Sequence, residues 1–513
     1  MRNSVSAWYR SSKREVYSHP KTYLLLAVLL IAGLFVRVYR TDQVLRFYYD
    51  QGRDASVIWQ FWHEGKFFLV GPTTGIEGIF RGPWYYWLIA PFYLVGGGNP
   101  VWPANFLSVL SVLAIFVLYI LAVQIQGKLA GIIAVIIASF SFYFMLDSRW
   151  LSNPTPMFLI GMLLLFFMFQ VMEGKKWAWV PISFLLGMAM QFGSAAEIFY
   201  FPAVAVFGIW QRKNLPSKKI FLISLFLFLI TLVPQILFNI RHQGVLLGAI
   251  RKFLFEQESF KASFWEVLKL RLIFYYQLFF SKLEPVNSRP WVFMAILGLL
   301  AFLLNLKALL KNQKFLVAFL IFILPVIGML FFQGNYGHVY GYYFTGNFFI
   351  FVLLFSVTLS LLAKRDAGGI IVVVLFFALF LQGNMPTIKD FITKGVDGPL
   401  HVSLGNELQA VHWVLDNAGR RQFNIDSYVP PVIPYTYDYL FLWQTTNQCG
   451  ENRCGMVLDQ KVSRLYTLYE VDPSHPERLE DWLVRQKAVG IVVEEVKVGG
   501  ITVQRRERIS QNK

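Results

Sequence analysis

The chain has 513 residues, of which 56% are hydrophobic and 17% aromatic, while only 15% are charged. Soluble domains carry about 25% charged residues, so this composition excludes an ordinary soluble protein and predicts a polytopic membrane protein. The net charge of +17 is typical of Lys and Arg on cytoplasmic loops and does not predict a nucleic-acid partner, and two cysteines are too few for a disulfide framework or a Cys-based metal cluster.

Apolar runs of about 20 residues predict transmembrane helices. The N-terminal stretch before the first run is basic and lacks a signal-peptide cleavage pattern, so we expect a retained helix with a cytoplasmic N-terminus. Eleven runs qualify, at roughly 22–40, 101–124, 129–146, 155–172, 177–191, 195–210, 219–240, 291–309, 314–333, 343–363 and 368–384.

The charges of the connecting loops predict the orientation of these spans. If the spans alternate, loops such as "QRKNLPSKK" and "KALLKNQK" fall on the cytoplasmic side, as the positive-inside rule requires. Two further apolar segments, 82–97 and 264–280, would break this pattern if either one spanned alone, so we expect interfacial or re-entrant helices there. Counting both as spans gives thirteen instead of eleven.

After about residue 385 the composition changes, and short strand-like pieces alternate with helix-like ones. We therefore predict a transmembrane domain over residues 1–384 and a small extracytoplasmic α/β domain over residues 385–513. Cys449 and Cys454 lie inside this second domain, where a local disulfide is chemically permitted. Free thiols are the alternative, and a zinc site is disfavoured because no histidine lies nearby.

Polar residues with useful chemistry fall on one predicted face of the membrane, the external one. The candidates are Asp50, Arg53, Asp54 and Glu77 in the first external loop, Asp147, Arg149 and Asn153 in the second, Glu197 in the third, Arg241 and His242 in the fourth, and Asn335 and His338 in the fifth.

Each candidate also has a purely structural interpretation. Asp50 and Asp54 could be solvated loop charges, and Asn153 could cap a helix. Glu197 and Arg241 could complement helix dipoles, as could His242, and His338 could pack at an interface. The shared face favours function, because arginines bind phosphate and carboxylates accept protons from hydroxyls at a lipid–water interface.

The motifs "YYDQGRDA", "GPWYYWL" and "DSRWLSNPTP" resemble those of the GT-C superfamily of membrane glycosyltransferases, within it family 39 and the aminoarabinose transferases. The resemblance implies a polyprenyl-phosphate sugar as donor, an extracytoplasmic active site, inversion at the anomeric carbon, and an aspartate base corresponding to Asp50. Many members have Asp-Glu at this position, whereas here Gln51 follows Asp50. The base is therefore Asp50 or Asp54.

Several alternatives stay open at this stage. Asp50, Asp54 and Asp147 are potential ligands of a divalent cation, although no spacing requires one. A transporter or flippase of lipid-linked sugars is the main alternative function, and a scaffold without catalysis is another. Transport is disfavoured because the spans carry almost no internal charge. The sequence does not identify the sugar, or whether protein, lipid or polysaccharide is the acceptor.

Overall fold

The computed structural model describes residues 15–74, 78–193, 195–256, 263–286, 289–332, 338–396, 398 and 400–509. The predicted site residues Glu77 and Asn335 lie outside these ranges. Most of the chain is helical, as the composition predicts. The helices of the first 400 residues are α1 (Pro20–Val38), α2 (Thr41–Val44), α3 (Tyr49–Glu64), α4 (Trp84–Val95), α5 (Val101–Gln126), α6 (Lys128–Phe140), α7 (Phe142–Ser148), α8 (Met157–Met172), α9 (Trp179–Phe192), α10 (Tyr200–Trp210), α11 (Lys218–Arg241), α12 (Val245–Arg251), α13 (Phe264–Ser281), α14 (Arg289–Leu304), α15 (Leu306–Lys311), α16 (Gln313–Leu330), α17 (Thr345–Ala363) and α18 (Ala367–Lys394).

Helices occupy all eleven predicted segments, but the count of eleven spans is not confirmed. Among the described residues, six helices are long and apolar enough to cross a membrane, and the pair α6–α7, bent by 68°, would make a seventh. The apolar helices α8 and α14 are shorter. Many large apolar side chains on α1, α11 and α14 are exposed, which suits contact with lipid and identifies a multi-pass membrane protein.

Helix α17 forms the centre of the bundle. Most of its residues are buried, and it packs against α5, α6, α8 and α16. A helix that is apolar on every side is stable only when neighbours surround it. The polar ends of the helices around α17 are therefore brought close together, and this positions the candidate site.

The bend between α6 and α7 exposes backbone carbonyls inside the bundle, where each one needs a hydrogen-bond donor. Arg37, at the end of α1, is fully buried and supplies it, donating to the carbonyl oxygens of Ala138 (2.8 Å) and Ser139 (3.0 Å). Asn384 of α18 accepts a bond from the Phe142 amide (2.7 Å) and so satisfies the start of α7. The bend is thus fixed by specific polar contacts.

The C-terminal part carries a small mixed sheet, as the alternating pattern predicts. Its strands are β1 (Asn424–Tyr428), β2 (Arg464–Glu470), β3 (Gly490–Val498) and β4 (Ile501–Arg508), in the order β1-β2-β4-β3. The pair β1–β2 is parallel and the other pairs are antiparallel. The helices of this part are α19 (Leu404–Ala418), α20 (Tyr435–Cys449) and α21 (Pro476–Val489).

The predicted domain boundary at residue 384 stays a prediction. It falls inside α18, and the first helix that packs on the sheet begins at Leu404. The sheet-bearing part docks on the first loop, because the Leu404 amide donates to the Leu45 carbonyl oxygen (2.9 Å). Gly52 of α3 permits a close helix crossing, since a Cβ there would lie 2.5 Å from the α20 backbone.

Candidate active site

Helix α3 carries the charges of the first loop, and Gln51 fixes where it starts. The Gln51 side chain accepts a hydrogen bond from the Tyr48 amide (3.0 Å) and so caps the first turn. Its amide nitrogen donates to the Leu151 carbonyl oxygen (3.0 Å). Gln51 is buried, and it joins the first loop to the second.

Arg53 lies between the two aspartates of this helix. Its guanidinium contacts Asp50 at 2.9 Å and Asp54 at 2.7 Å. The two carboxylates have different surroundings: the Asp50 side chain is 56% exposed, whereas that of Asp54 is 8% exposed. Tyr86 of α4 also donates to Asp54 Oδ1 (2.8 Å). Asp54 is therefore held by protein groups, while Asp50 faces solvent.

Burial raises the pKa of Asp54 to about 6, although the neighbouring Arg53 guanidinium and the Tyr86 hydroxyl act in the opposite direction. The charged form of Asp54 is therefore the main form at neutral pH, and it anchors Arg53. Arg53 also donates to the Thr73 hydroxyl (3.1 Å), which links α3 to the chain segment that follows it.

That segment is a short hairpin that presents Arg81, a residue that the sequence analysis did not select. Thr73 pairs with Phe80, and the Arg81 backbone bonds to Gly71 (2.8 Å) and Pro72 (3.2 Å). Gln191 accepts from the Gly82 amide (2.8 Å) and Gln235 donates to the Phe80 carbonyl oxygen (3.0 Å). Two helices, α9 and α11, thus hold the backbone on both sides of Arg81.

Arg81 interacts with charged and phenolic groups from other loops. Burial lowers its pKa, while the Glu197 carboxylate and the hydroxyl groups of Tyr342 and Tyr343 act in the opposite direction. Glu197 is 2% exposed and accepts a hydrogen bond from the Gly346 amide (3.2 Å) at the start of α17. The hairpin therefore brings together the first, third and fifth loops. The available sequence signal was an arginine directly before "GPWYYWL" in a loop predicted to be external.

The charged residues of the second loop make different contacts. Arg149 is buried and donates to the carbonyl oxygens of Val36 (2.9 Å) and Tyr39 (3.0 Å) at the end of α1. Asp147 pairs with Lys282, whose side chain lies over the Phe348 ring at 4.4 Å. Lys282 was also missed in the sequence. The second loop contacts the fifth through Trp150 and Tyr342, whose ring centroids are 5.7 Å apart.

The remaining predicted residues lie at the edges of this arrangement. Asn153 donates to the Phe192 carbonyl oxygen (3.0 Å) at the end of α9. Arg241 and His242 are exposed at the end of α11, and the His242 ring packs on Phe238 at 4.3 Å. His338 is also exposed. Substrate-binding roles for these four residues stay predictions, as do those for Arg53, Asp147, Arg149 and Glu197.

Cys449 and Cys454 form a disulfide, with Cα atoms 5.2 Å apart. It closes the turn that follows α20. Within the described ranges, no three metal-ligating side chains come together. The three potential cation ligands, Asp50, Asp54 and Asp147, each pair with a basic side chain.

The comparisons with known proteins agree with this architecture. A family profile described as "Dolichyl-phosphate-mannose-protein mannosyltransferase" matches residues 81–238, the part of the chain that begins at Arg81. The crystal structure of ArnT from Cupriavidus metallidurans bound to undecaprenyl phosphate superposes with a TM-score of 0.57 at 11% identity, covering 96% of this chain and 99% of that chain. This chain therefore shares the fold of ArnT.

The apo form of the same ArnT gives a TM-score of 0.57 at 12% identity, over 95% of this chain and 98% of the other. The Archaeoglobus fulgidus oligosaccharyltransferase in complex with Zn and sulfate gives a TM-score of 0.49 at 12% identity, over 91% of this chain and 71% of the other. A search of curated protein sequences found no match. The predicted resemblance to the GT-C superfamily is confirmed by the shared fold and by the profile match over residues 81–238.

Proposed function

We propose that the protein transfers a sugar from a polyprenyl-phosphate donor to an acceptor hydroxyl on the extracytoplasmic face of the membrane, with inversion at the anomeric carbon. The observation that carries the proposal is the group formed by Asp50, Arg53 and Asp54, which the hairpin connects to Arg81. The ArnT relative with the same fold is described as bound to undecaprenyl phosphate, which supports a lipid-phosphate donor. The positive-inside pattern supports the extracytoplasmic face.

The proposed mechanism assigns the base to Asp50. Of the two aspartates, it is the one with an exposed carboxylate, so an acceptor hydroxyl can approach it. Asp50 takes the hydroxyl proton as the acceptor oxygen attacks the anomeric carbon from the face opposite the phosphate. The bond from the anomeric carbon to the phosphate oxygen breaks, and polyprenyl phosphate leaves with the electron pair. Attack from the opposite face gives inversion.

The arginines stabilise the leaving phosphate. Negative charge increases on this group in the transition state, and fixed guanidinium groups in a partly buried site bind it strongly. Arg81 is half-buried and its backbone is held on both sides, so we assign it to the phosphate. Asp54, which accepts a hydrogen bond from Tyr86, holds Arg53 in position beside Asp50. Arg241 and His242 are exposed at the end of α11. Phe238, one turn earlier on this helix, packs on Phe80 of the hairpin with ring centroids 5.8 Å apart. We propose that Arg241 and His242 contact the donor head group.

The test uses purified protein and a panel of polyprenyl-phosphate sugars, with release of free polyprenyl phosphate as the readout. We expect Asp50→Asn to lower release by about 10²- to 10⁴-fold, the usual contribution of a general base. Asp54→Asn leaves Arg53 bonded to Asp50 and Thr73 and lowers release by about three-fold, or ~0.6 kcal/mol. Arg81→Gln is expected to lower release by about 10²-fold, since it removes one fixed donor from the phosphate.

Asp390→Asn is the matched control, because Asp390 is an exposed acid whose one ion pair within the described ranges is with Lys394. It is expected to behave as wild type. Full activity of both Asp50→Asn and Asp54→Asn would refute a carboxylate base. A large loss of release in Asp54→Asn with a small loss in Asp50→Asn would make Asp54 the base and Asp50 the residue that positions Arg53.

A further inference from the structure

A cavity of about 950 Å³ lies at the other end of α3, away from Asp50. The last turn of α3 borders it through Gln60 and Glu64, and the C-terminal part supplies the rest of the wall from β1, α20, α21 and the disulfide-closed turn. Its volume is at the upper end of the range of about 300–1,000 Å³ for small-molecule sites. None of the candidate active-site residues lines it.

The charges that line the cavity nearly cancel. Its acids are Glu64, Asp426, Asp438 and Asp481. Its bases are three arginines, Arg453, Arg478 and Arg485, so four acids and three bases leave one excess negative charge. The excess of carboxylates would repel a polyanion such as pyrophosphate, and the arginines would repel a polycation. Interspersed donors and acceptors instead suit a polyhydroxylated ligand of low net charge.

Aromatic and apolar groups form the other part of the wall. Trp482 is buried, packs between Tyr428 and Tyr469, and donates to Asp426 (3.4 Å). Tyr437 and Phe441 of α20 also border the cavity and are buried. Flat apolar faces beside hydrogen-bonding groups match a sugar ring, which has C–H faces and a rim of hydroxyl groups.

The rim of the cavity has backbone conformations that are rare outside glycine. Val432 has φ 72°, and Arg453 and Cys454 have φ 41° and 52°. A left-handed β-branched residue is an outlier that the surrounding structure must hold in place, and such residues concentrate at ligand sites. The disulfide between Cys449 and Cys454 holds the turn that brings Arg453 to the cavity.

Helix α3 connects this cavity to the candidate active site and sets the spacing. A rise of about 1.5 Å per residue separates Asp50 from Gln60 by about 15 Å and from Glu64 by about 21 Å. This is too far for the sugar being transferred. It suits a distal part of an extended acceptor whose reacting hydroxyl lies at Asp50.

We propose that this cavity binds the saccharide portion of the acceptor, a neutral or weakly charged oligosaccharide, and so selects which molecule is glycosylated. The role of this saccharide as an acceptor rests on the proposed glycosyl transfer. Saccharide binding itself does not depend on transfer. The α21 face that carries Arg478, Asp481 and Arg485 supplies the hydrogen bonds, and Trp482 with the exposed Leu458 supplies the apolar contact.

The test is saturation-transfer NMR on the full-length protein in detergent without donor. The probes are manno-, gluco-, galacto- and glucosamine oligosaccharides of two to five units, a Ser/Thr-rich peptide and inorganic pyrophosphate. We expect at least one oligosaccharide to bind, and Asp481→Asn and Arg485→Gln each to weaken that binding at least ten-fold. The matched controls are Glu480→Gln and Lys487→Gln, which change the same charges on exposed positions of α21 that do not line the cavity, and we expect wild-type binding.

Each outcome decides the inference. Binding of the peptide or of pyrophosphate alone, or of no probe, would overturn it, and so would oligosaccharide binding that Asp481→Asn and Arg485→Gln leave unchanged. The binding test contains no donor, so it is independent of the proposed function. The proposed function would be refuted separately, if Asp50→Asn released polyprenyl phosphate at the wild-type rate. Oligosaccharide binding together with that failure would leave a saccharide-binding membrane protein without the proposed chemistry.

Discussion

Two charged stretches that look alike in the sequence make different contacts in the structure. In "DQGRD", residues 50–54, the arginine bonds to carboxylates and one acid faces solvent. In "DSR", residues 147–149, the arginine is buried against backbone carbonyls and the acid pairs with a lysine. The first stretch therefore has a carboxylate available for chemistry, whereas the contacts of the second hold helices together. Both lie at helix ends on the same predicted face, so position alone does not separate them.

The largest expected effect comes from Arg149→Leu. This change removes two charge-assisted bonds from carbonyl oxygens at the negative end of α1, where each is worth about 1.5–3 kcal/mol. We expect the free energy of unfolding to fall by about 3–5 kcal/mol, measured by thermal unfolding in detergent. Asp50→Asn is the matched comparison, because its exposed side chain makes one ion pair, and it is expected to lose activity with little change in stability.

A loss of activity without a loss of stability in Arg149→Leu would mean that both charged stretches serve the reaction. If the variant unfolds at the wild-type temperature but releases no polyprenyl phosphate, Arg149 binds substrate, as the sequence analysis predicts.

The difference between the stretches also shows what the sequence could not reveal. Apolar run lengths placed all eleven helical segments, and loop charges grouped the polar residues, because both follow from local composition. The partners of Arg149 are carbonyl oxygens more than 100 residues earlier in the chain, so only the packing of α1 against α7 brings these acceptors to it. Arg81 was missed for the same reason, since Gln191, Gln235 and Glu197 come from three distant elements.

The second expected effect concerns the Asp147–Lys282 pair. The Lys282 side chain is 8% exposed and that of Asp147 is 28% exposed, so Lys282→Met leaves a half-buried carboxylate without its partner. We expect a loss of about 2–3 kcal/mol in stability. The double variant Asp147→Leu/Lys282→Met is expected to recover most of it.

Lys314→Met provides the control, because Lys314 pairs with Glu173 in a more exposed position and the expected loss is under about 1 kcal/mol. Additive losses in the double variant would show that Asp147 and Lys282 act independently, for example by one of them binding substrate.

The third expected effect is at Gln51, where the two stretches meet. Gln51→Glu cannot donate to the Leu151 carbonyl oxygen and sets a buried carboxylate against it. We expect a loss of about 1–2 kcal/mol in stability, the usual penalty for an unsatisfied buried polar group. Gln448→Glu, at an exposed position of α20, is the control with no expected loss. Wild-type stability in Gln51→Glu would mean that the cap on the Tyr48 amide accounts for the contribution of this residue to stability and that the bond to Leu151 adds nothing.

The smallest expected effect is the pH dependence that Asp54 adds to the first stretch. Its pKa is raised to about 6, so its carboxylate is charged above that pH and holds Arg53, and it becomes neutral as the pH falls through 6. A neutral Asp54 resembles asparagine. The ratio of wild-type to Asp54→Asn release should therefore be about three-fold, or ~0.6 kcal/mol, near pH 7.5 and approach one near pH 5. The donor is common to both proteins, so its own pH dependence cancels in this ratio. A ratio that stays constant from pH 5 to pH 8 would mean that Asp54 does not act through the charge that anchors Arg53.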